Sequence, residues 1–246
     1  MTSPRLRVVE SPAVLADTAA KWIHDRAWDA VGARRRFTIA LSGGNTPRAL
    51  YARLAAGPRL PWEQMEICFG DERAVPPDSP ESNYRMVRET LFKAPGLPPE
   101  RVHRIRAELP PAEAARDYEQ TLRGLFPRAA PVPRFDLILL GLGPDGHTAS
   151  LFPHSPGLAE RQAWVLANWV EKLGTHRLSF SFPVLDAAAE VLFLVAGADK
   201  EWALHEVLQG GASVEDVPAR GVRPTGGALT FLVDRAAAAG LVLQSA

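Results

Sequence analysis

The 246-residue sequence predicts an α/β fold, a Rossmann-like and largely parallel sheet flanked by helices on both faces, on three observations. Short apolar runs recur at 37–41, 65–69, 135–140, 164–167, 178–182, 191–195 and 229–233, most without strict alternation, as in strands buried on both faces. Segments with helical periodicity lie between them. Four of the runs end in glycines mixed with polar or charged residues, and in such sheets ligands bind beyond the carboxyl ends of the strands.

Taken in order, Leu15, Ala19, Trp22, Ile23 and Val31 recur near helical spacing and predict an amphipathic surface helix. Run 37–41 leads into Ser42-Gly43-Gly44-Asn45-Thr46-Pro47, where Thr46 reads as an N-cap and Pro47 as the first helical position. Run 65–69 leads into Gly70-Asp71-Glu72-Arg73. Ala115, Tyr118, Leu122 and Leu125 predict a further surface helix. Run 135–140 opens onto Gly141-Leu142-Gly143-Pro144-Asp145-Gly146-His147-Thr148, and run 191–195 onto Ala196-Gly197-Ala198-Asp199-Lys200. The proline-rich stretches 76–80, 95–99 and 127–133 are too short to be linkers, and no repeat of about 20–50 residues is present, so one domain over 1–246 is expected.

Composition narrows the function. Lysine plus arginine number 28 against 28 aspartate plus glutamate, a balance that argues against a globally basic nucleic-acid binder. No run of about 18 apolar residues occurs, and Arg5, Arg7, Glu10 and Asp17 interrupt the segment where a signal peptide would be apolar. A soluble, cytoplasmic protein without a membrane partner is expected. The single cysteine, Cys68, cannot form an internal disulfide or a multi-cysteine zinc site, and is expected to be a small buried hydrophobe.

The strand-end loops carry the candidate chemistry, each with a plainer alternative. Gly43 and Gly44 let backbone approach a ligand, and the following helix start suits a phosphate; the loop can equally be a tight turn without one. It is not a P-loop, since no Gly-Lys-Ser/Thr follows. Gly141, Gly143 and Gly146 match G-x-G-x-x-G, but Pro153 and Pro156 arrive too soon for a crossover helix, which argues against a dinucleotide. Asp145 and His147 instead suit acid–base chemistry, His147 moving a proton near neutral pH; the alternative is a loop histidine bonded to backbone. Asp71, Glu72 and Arg73 are a charged cluster or a solvated loop, and Arg177 and Lys200 are surface cations or members of a phosphate site. No metal is expected, because His147 and His154 lack helical spacing and Cys68 is distant; no G-x-S-x-G elbow offers a nucleophilic serine.

In this order, Leu41-Ser-Gly-Gly-Asn-Thr-Pro47, Phe69-Gly-Asp-Glu-Arg73, Ser82-Asn83-Tyr84 and Leu140-Gly-Leu-Gly-Pro-Asp-Gly-His-Thr-Ala-Ser-Leu-Phe-Pro153 closely resemble the 6-phosphogluconolactonases of the glucosamine-6-phosphate isomerase/6-phosphogluconolactonase family. Ala196-Gly-Ala-Asp-Lys200 and Pro218-Ala-Arg-Gly-Val-Arg-Pro224 fit as well, so the likeness spans nearly the whole chain. The resemblance implies a cytoplasmic hydrolase of the oxidative pentose phosphate pathway that opens 6-phospho-D-glucono-1,5-lactone without a cofactor. It also implies the fold shared with glucosamine-6-phosphate deaminase and ribose-5-phosphate isomerase. The deaminases are the closest rival, but they typically carry Asp-Glu-Tyr where Asp71-Glu72-Arg73 stands and Ile-Ala-Phe-Asn-Glu-Pro where Thr148-Ala149-Ser150-Leu151-Phe152-Pro153 stands. A non-catalytic sugar-phosphate-binding regulator is a third reading. Asn45 replaces the serine of many relatives.

On the lactonase reading, His147 activates water and later protonates the leaving ring oxygen, with Asp145 as a candidate partner of the imidazole. Arg73 either stabilises the oxyanion or contacts substrate hydroxyls. Gly43, Gly44, Asn45, Thr46, Asp71, Arg177 and Lys200 are expected to bind substrate, the glycines, Thr46 and the two cations at its phosphate. A monomer or small homo-oligomer is expected.

Overall fold

The computed structural model describes residues 4–127 and 130–242. Positions 1–3 of the leading segment, 128–129 of the proline-rich stretch 127–133, and 243–246 lie outside the described residues. Six parallel strands form the main sheet: β1 (Arg5–Val9), β2 (Phe37–Leu41), β3 (Met65–Phe69), β5 (Leu137–Gly141), β8 (Glu190–Val195) and β9 (Ala228–Asp234), in the order β1-β9-β8-β5-β2-β3. Every residue of β2, β3 and β8 is buried, which is why these runs are mostly apolar without strict alternation, Thr38, Glu66 and Glu190 being the exceptions.

Helices cover both faces of this sheet. In α1 (Pro12–Arg34), Ser11 caps the first turn by accepting from Val14 N, and Leu15, Ala16, Ala19, Ile23, Ala27 and Ala30 form the buried stripe. In α4 (Pro111–Leu125), Ala114, Ala115, Tyr118 and Leu122 do the same. The predicted start of α2 (Asn45–Ala56) is corrected by two positions: Gly44, not Thr46, is the N-cap, and the helix begins at Asn45 rather than Pro47. Gly44 has φ of +106°, a turn that glycine takes without strain, and Pro47 then falls in the first turn where its missing N–H is not needed.

Two of the predicted runs leave the main sheet. Residues 164–167 and 178–182 overlap β6 (Val165–Val170) and β7 (Thr175–Phe180), which join β4 (Asp71–Arg73) in a separate antiparallel sheet ordered β4-β7-β6. A tight 3₁₀ turn at Glu171–Leu173 closes the β6–β7 hairpin, with Gly174 left-handed after it, so these neighbours pair directly rather than through a crossover helix. The predicted run also overshoots, since Phe182 opens the short helix α5 (Phe182–Ala187). The edge strands β1 and β4 escape the sequence pattern because charged residues interrupt them, Arg5 and Arg7 in β1 and all three residues of the short β4.

Two buried tyrosines fix the strand ends that bear loops. Tyr51 of α2 accepts from Ser42 N at 3.1 Å and donates to Ser42 O at 2.7 Å, holding the chain just after β2. Tyr118 of α4 accepts from Phe69 N at 2.8 Å at the end of β3. Both hydroxyls are pushed up by burial, Tyr51 to an extent that keeps it protonated at any physiological pH. Cys68 is fully buried on β3, its thiol likewise pushed up to about 12 by burial, as expected of a small core residue. No helix of the described residues is long and apolar enough to cross a membrane.

Candidate active site

A cleft of about 420 Å³ opens where loops from β2, β3, β5 and β8 converge with the small sheet. Its lining includes Gly43 and Gly44 after β2, Asp71 and Arg73 of β4, Asp145 and His147 after β5, Arg177 of β7 and Lys200 after β8. Residues scattered over more than half of the chain thus meet in one crevice at the carboxyl ends of the strands. Asn45 and Thr46 are not among the lining residues; they start α2 beside the cleft, where the first backbone amides of a helix lack intrahelical partners.

The loop after β5 does not continue into an α-helix. A 3₁₀ turn at Pro156–Ala159 is its only helical element before β6, so the G-x-G-x-x-G match serves another purpose. Gly143 N donates to His147 O at 2.8 Å, curling the loop back on itself. A Cβ at Gly143 would lie 2.0 Å from His147 Nδ1 and 2.6 Å from Asp145 Oδ1, so only glycine leaves room for the ring. Ala149, on the cleft wall two residues later, holds a left-handed φ of +46°, a strained state for a residue with a Cβ.

His147 Nδ1 lies 2.5 Å from Asp145 Oδ1, and its ring stacks on Phe152 at 4.1 Å between centroids. Burial pushes the imidazole down to about 4, outweighing the nearby Asp71 carboxylate, and the cations Lys200, Arg177 and Arg73 add to the depression. The neutral ring therefore donates Nδ1–H to Asp145, a tautomer assigned from this partner, and leaves the Nε2 lone pair free. The second oxygen of Asp145 receives Lys172 Nζ from the β6–β7 turn.

The register of the small sheet arranges the cations. Asp71 stands opposite Ser179 and Arg73 opposite Arg177, so these side chains share the face turned toward the cleft, while Glu72 and Leu178 point the other way. Glu72, 2% exposed, accepts from Arg73 N, Asn83 N, Tyr84 N and Ser82 Oγ. It thereby ties β4 to the start of α3 (Asn83–Thr90). Burial raises its carboxyl, and these hydrogen bonds oppose the rise. Asn83 in turn donates to Asp71 O at 3.1 Å, and Asp71 Oδ2 accepts Ser150 Oγ at 2.7 Å. Asn83 also presses on Gly43, where a Cβ would sit 1.8 Å from Asn83 Oδ1. Of the three candidates in the charged cluster, Asp71 and Arg73 therefore face the cleft and Glu72 braces it from behind.

Several lining residues escaped the sequence reading as site members: Ser42, Asn83, Ser150, Phe152 and Lys172. Asn83 was visible only inside a motif, and Lys172 carried no local signal. Among the described residues no group of three or more histidine, cysteine, aspartate or glutamate side chains is arranged to hold a metal.

Fold and cleft together define an α/β protein with a cationic crevice that presents one neutral imidazole at the carboxyl ends of its strands. Residues 10–231 match the family described as glucosamine-6-phosphate isomerases/6-phosphogluconolactonase. The chain is 41% identical over 237 residues to 6-phosphogluconolactonase of Synechocystis sp., covering 96% of this chain and 97% of that protein. The solved 6-phosphogluconolactonase of Trypanosoma brucei superposes with a TM-score of 0.86 at 31% identity, over 98% of this chain and 100% of that one. A monomeric glucosamine-6-phosphate deaminase shares the fold, with a TM-score of 0.79 at 22% identity over 96% of this chain and 100% of that one. This chain belongs to the glucosamine-6-phosphate isomerase/6-phosphogluconolactonase family.

Proposed function

We propose that this chain is a 6-phosphogluconolactonase, hydrolysing 6-phospho-D-glucono-1,5-lactone to 6-phosphogluconate in the oxidative pentose phosphate pathway without a cofactor. The observation that carries the reading is one cleft holding both a cationic wall, Arg73, Arg177 and Lys200, and the paired His147 and Asp145. The substrate has the matching polarity, an anionic phosphate at one end and a hydrolysable ester at the other.

In this reading the phosphate sits against Gly43, Gly44 and the first amides of α2, at Asn45 and Thr46, with Arg177 and Lys200 supplying charge. Binding there orients the ester carbon at the imidazole. Asp71 takes substrate hydroxyls, and Ser42 Oγ, buried at the cleft wall without a partner among the described residues, gains one from bound substrate. His147 Nε2 removes a proton from water as its oxygen bonds to C1. Asp145 holds the ring and stabilises the imidazolium, and Arg73 faces the oxyanion or adjacent hydroxyls. When the bond from C1 to the ring oxygen breaks, His147 returns the proton to that oxygen, and the free acid ionises to 6-phosphogluconate.

The test is turnover of freshly made phosphorylated lactone, measured above its spontaneous opening in a no-enzyme control, beside glucosamine 6-phosphate. Lactone turnover alone supports the reading. Release of ammonia from glucosamine 6-phosphate replaces it with the deaminase reading, and binding of sugar phosphate without turnover of either leaves a non-catalytic regulator. A cytoplasmic location and action as a monomer or small homo-oligomer belong to the same proposal, checked by fractionation and by solution mass.

A further inference from the structure

The β6–β7 hairpin crosses to the loop after β5 at a single ionic contact, Lys172 with Asp145. Lys172 sits in the 3₁₀ turn Glu171–Leu173, and the next residue, Leu173, also lines the cleft. Asp145 has two oxygens to place. Oδ1 takes the His147 ring N–H and, at 3.3 Å, the His147 backbone N–H, while Oδ2 takes Lys172. Lys172 Nζ also lies 4.8 Å from the centre of the Phe152 ring, the same ring on which His147 stacks. The lysine thus touches both groups that hold the imidazole, the carboxylate at its edge and the aromatic ring at its face.

Resting on the lactonase reading, we propose that Lys172 is a positioning residue: it orients Asp145 and Phe152 so that the neutral imidazole of His147 presents Nε2 to water. Its ammonium is half-exposed, and an ion pair so placed contributes little to stability, so what the contact provides is local geometry rather than fold stability. It also offsets the charge of Asp145. Without it, the carboxylate would hold a proton on His147 more strongly, and water would reach the ring. Both effects favour imidazolium, which cannot act as a base. The other charged groups facing the ring, Asp71 and Arg73 of β4, Arg177 of β7 and Lys200 after β8, are unchanged by a substitution in the hairpin turn.

The test compares Lys172→Met and Lys172→Arg with the wild type on fresh phosphorylated lactone, with the titration of the His147 ring followed by NMR in parallel. Lys172→Met is expected to lower kcat roughly 10- to 100-fold, the scale of displacing a catalytic group by about an ångström, with KM within about threefold. The His147 titration and the acid limb of kcat/KM both move to higher pH. Lys172→Arg keeps the cation and restores most of kcat. Unchanged kcat and an unchanged titration in Lys172→Met overturn the proposal, as does a rise in KM alone, which makes Lys172 a substrate-binding cation. The NMR titration separates this inference from the proposed activity: if the wild type opens no lactone, a shifted His147 titration in Lys172→Met still supports positioning, and an unshifted one still refutes it.

Discussion

Arg73 and Arg177 face each other directly across the β4–β7 pair, and both line the cleft. Like charges so placed repel, and the guanidinium of Arg177 is held below its ordinary range by burial first and by Arg73 second. An arrangement that destabilises the empty site is one that an anion relieves.

Arg177→Ala is accordingly expected to raise KM for the phosphorylated lactone by about 10- to 100-fold, the scale of one lost charge-assisted hydrogen bond. The penalty shrinks on unphosphorylated gluconolactone, and the melting temperature of the ligand-free protein does not fall. Equal penalties on the two substrates would take Arg177 out of the phosphate site.

The depressed His147 pKa sets the pH dependence. The ring is neutral in the folded protein down to about 4, against an unfolded value near 6.5, so the base form persists well below neutrality. The acid limb of kcat/KM for the free enzyme is expected near that lower value. By the same sign, the contribution of His147 to stability is present above about 6.5 and is lost as pH falls toward the folded value. His147→Ala abolishes the limb and lowers kcat by about 10²- to 10⁴-fold. An acid limb near 6.5 that survives in the wild type at saturating and low substrate alike contradicts the burial argument.

Gly143→Ala tests the packing of the ring. The new Cβ meets His147 Nδ1 and Asp145 Oδ1, both at the ends of side chains that can rotate away. The expected outcome is a loss of kcat approaching that of His147→Ala while the melting temperature changes little. Near wild-type turnover would mean that the imidazole does not need its contact with Asp145.

Tyr51→Phe probes the link between core and site. It leaves Ser42 N–H and C=O without the hydroxyl that each now uses, so a destabilisation of about 1–3 kcal/mol is expected from denaturant unfolding. A variant as stable as the wild type would show that water replaces the hydroxyl fully.

How much of this was legible in the sequence depended on burial. Runs 37–41 and 65–69 coincide with β2 and β3 to the residue, because strands covered on both faces are mostly apolar, with one buried polar residue in each, Thr38 and Glu66. Strands β1 and β4 were not legible, since an edge or a cleft wall tolerates arginine and aspartate, which read as loop. Runs 164–167 and 178–182 were recognised as extended but assigned to the wrong sheet, because apolar content reports burial and not partner. Among the candidate residues, Asn45 and Thr46 were expected at the ligand through their place in a motif, yet neither is among the lining residues of the cleft once Gly44 takes the N-cap.

The sequence by itself determined the layered α/β architecture, the glycine-bearing loops at the strand ends and the kinds of chemistry those loops carry, since periodicity and local turn chemistry are properties of neighbouring residues. Only the tertiary structure decided which side chains meet. Arg73 lies opposite Arg177 through strand register, Lys172 reaches Asp145 from a hairpin 27 residues along the chain, and burial rather than residue type keeps the His147 imidazole neutral. Register, hairpin reach and desolvation act between residues distant in sequence, and they exist only after the chain has folded.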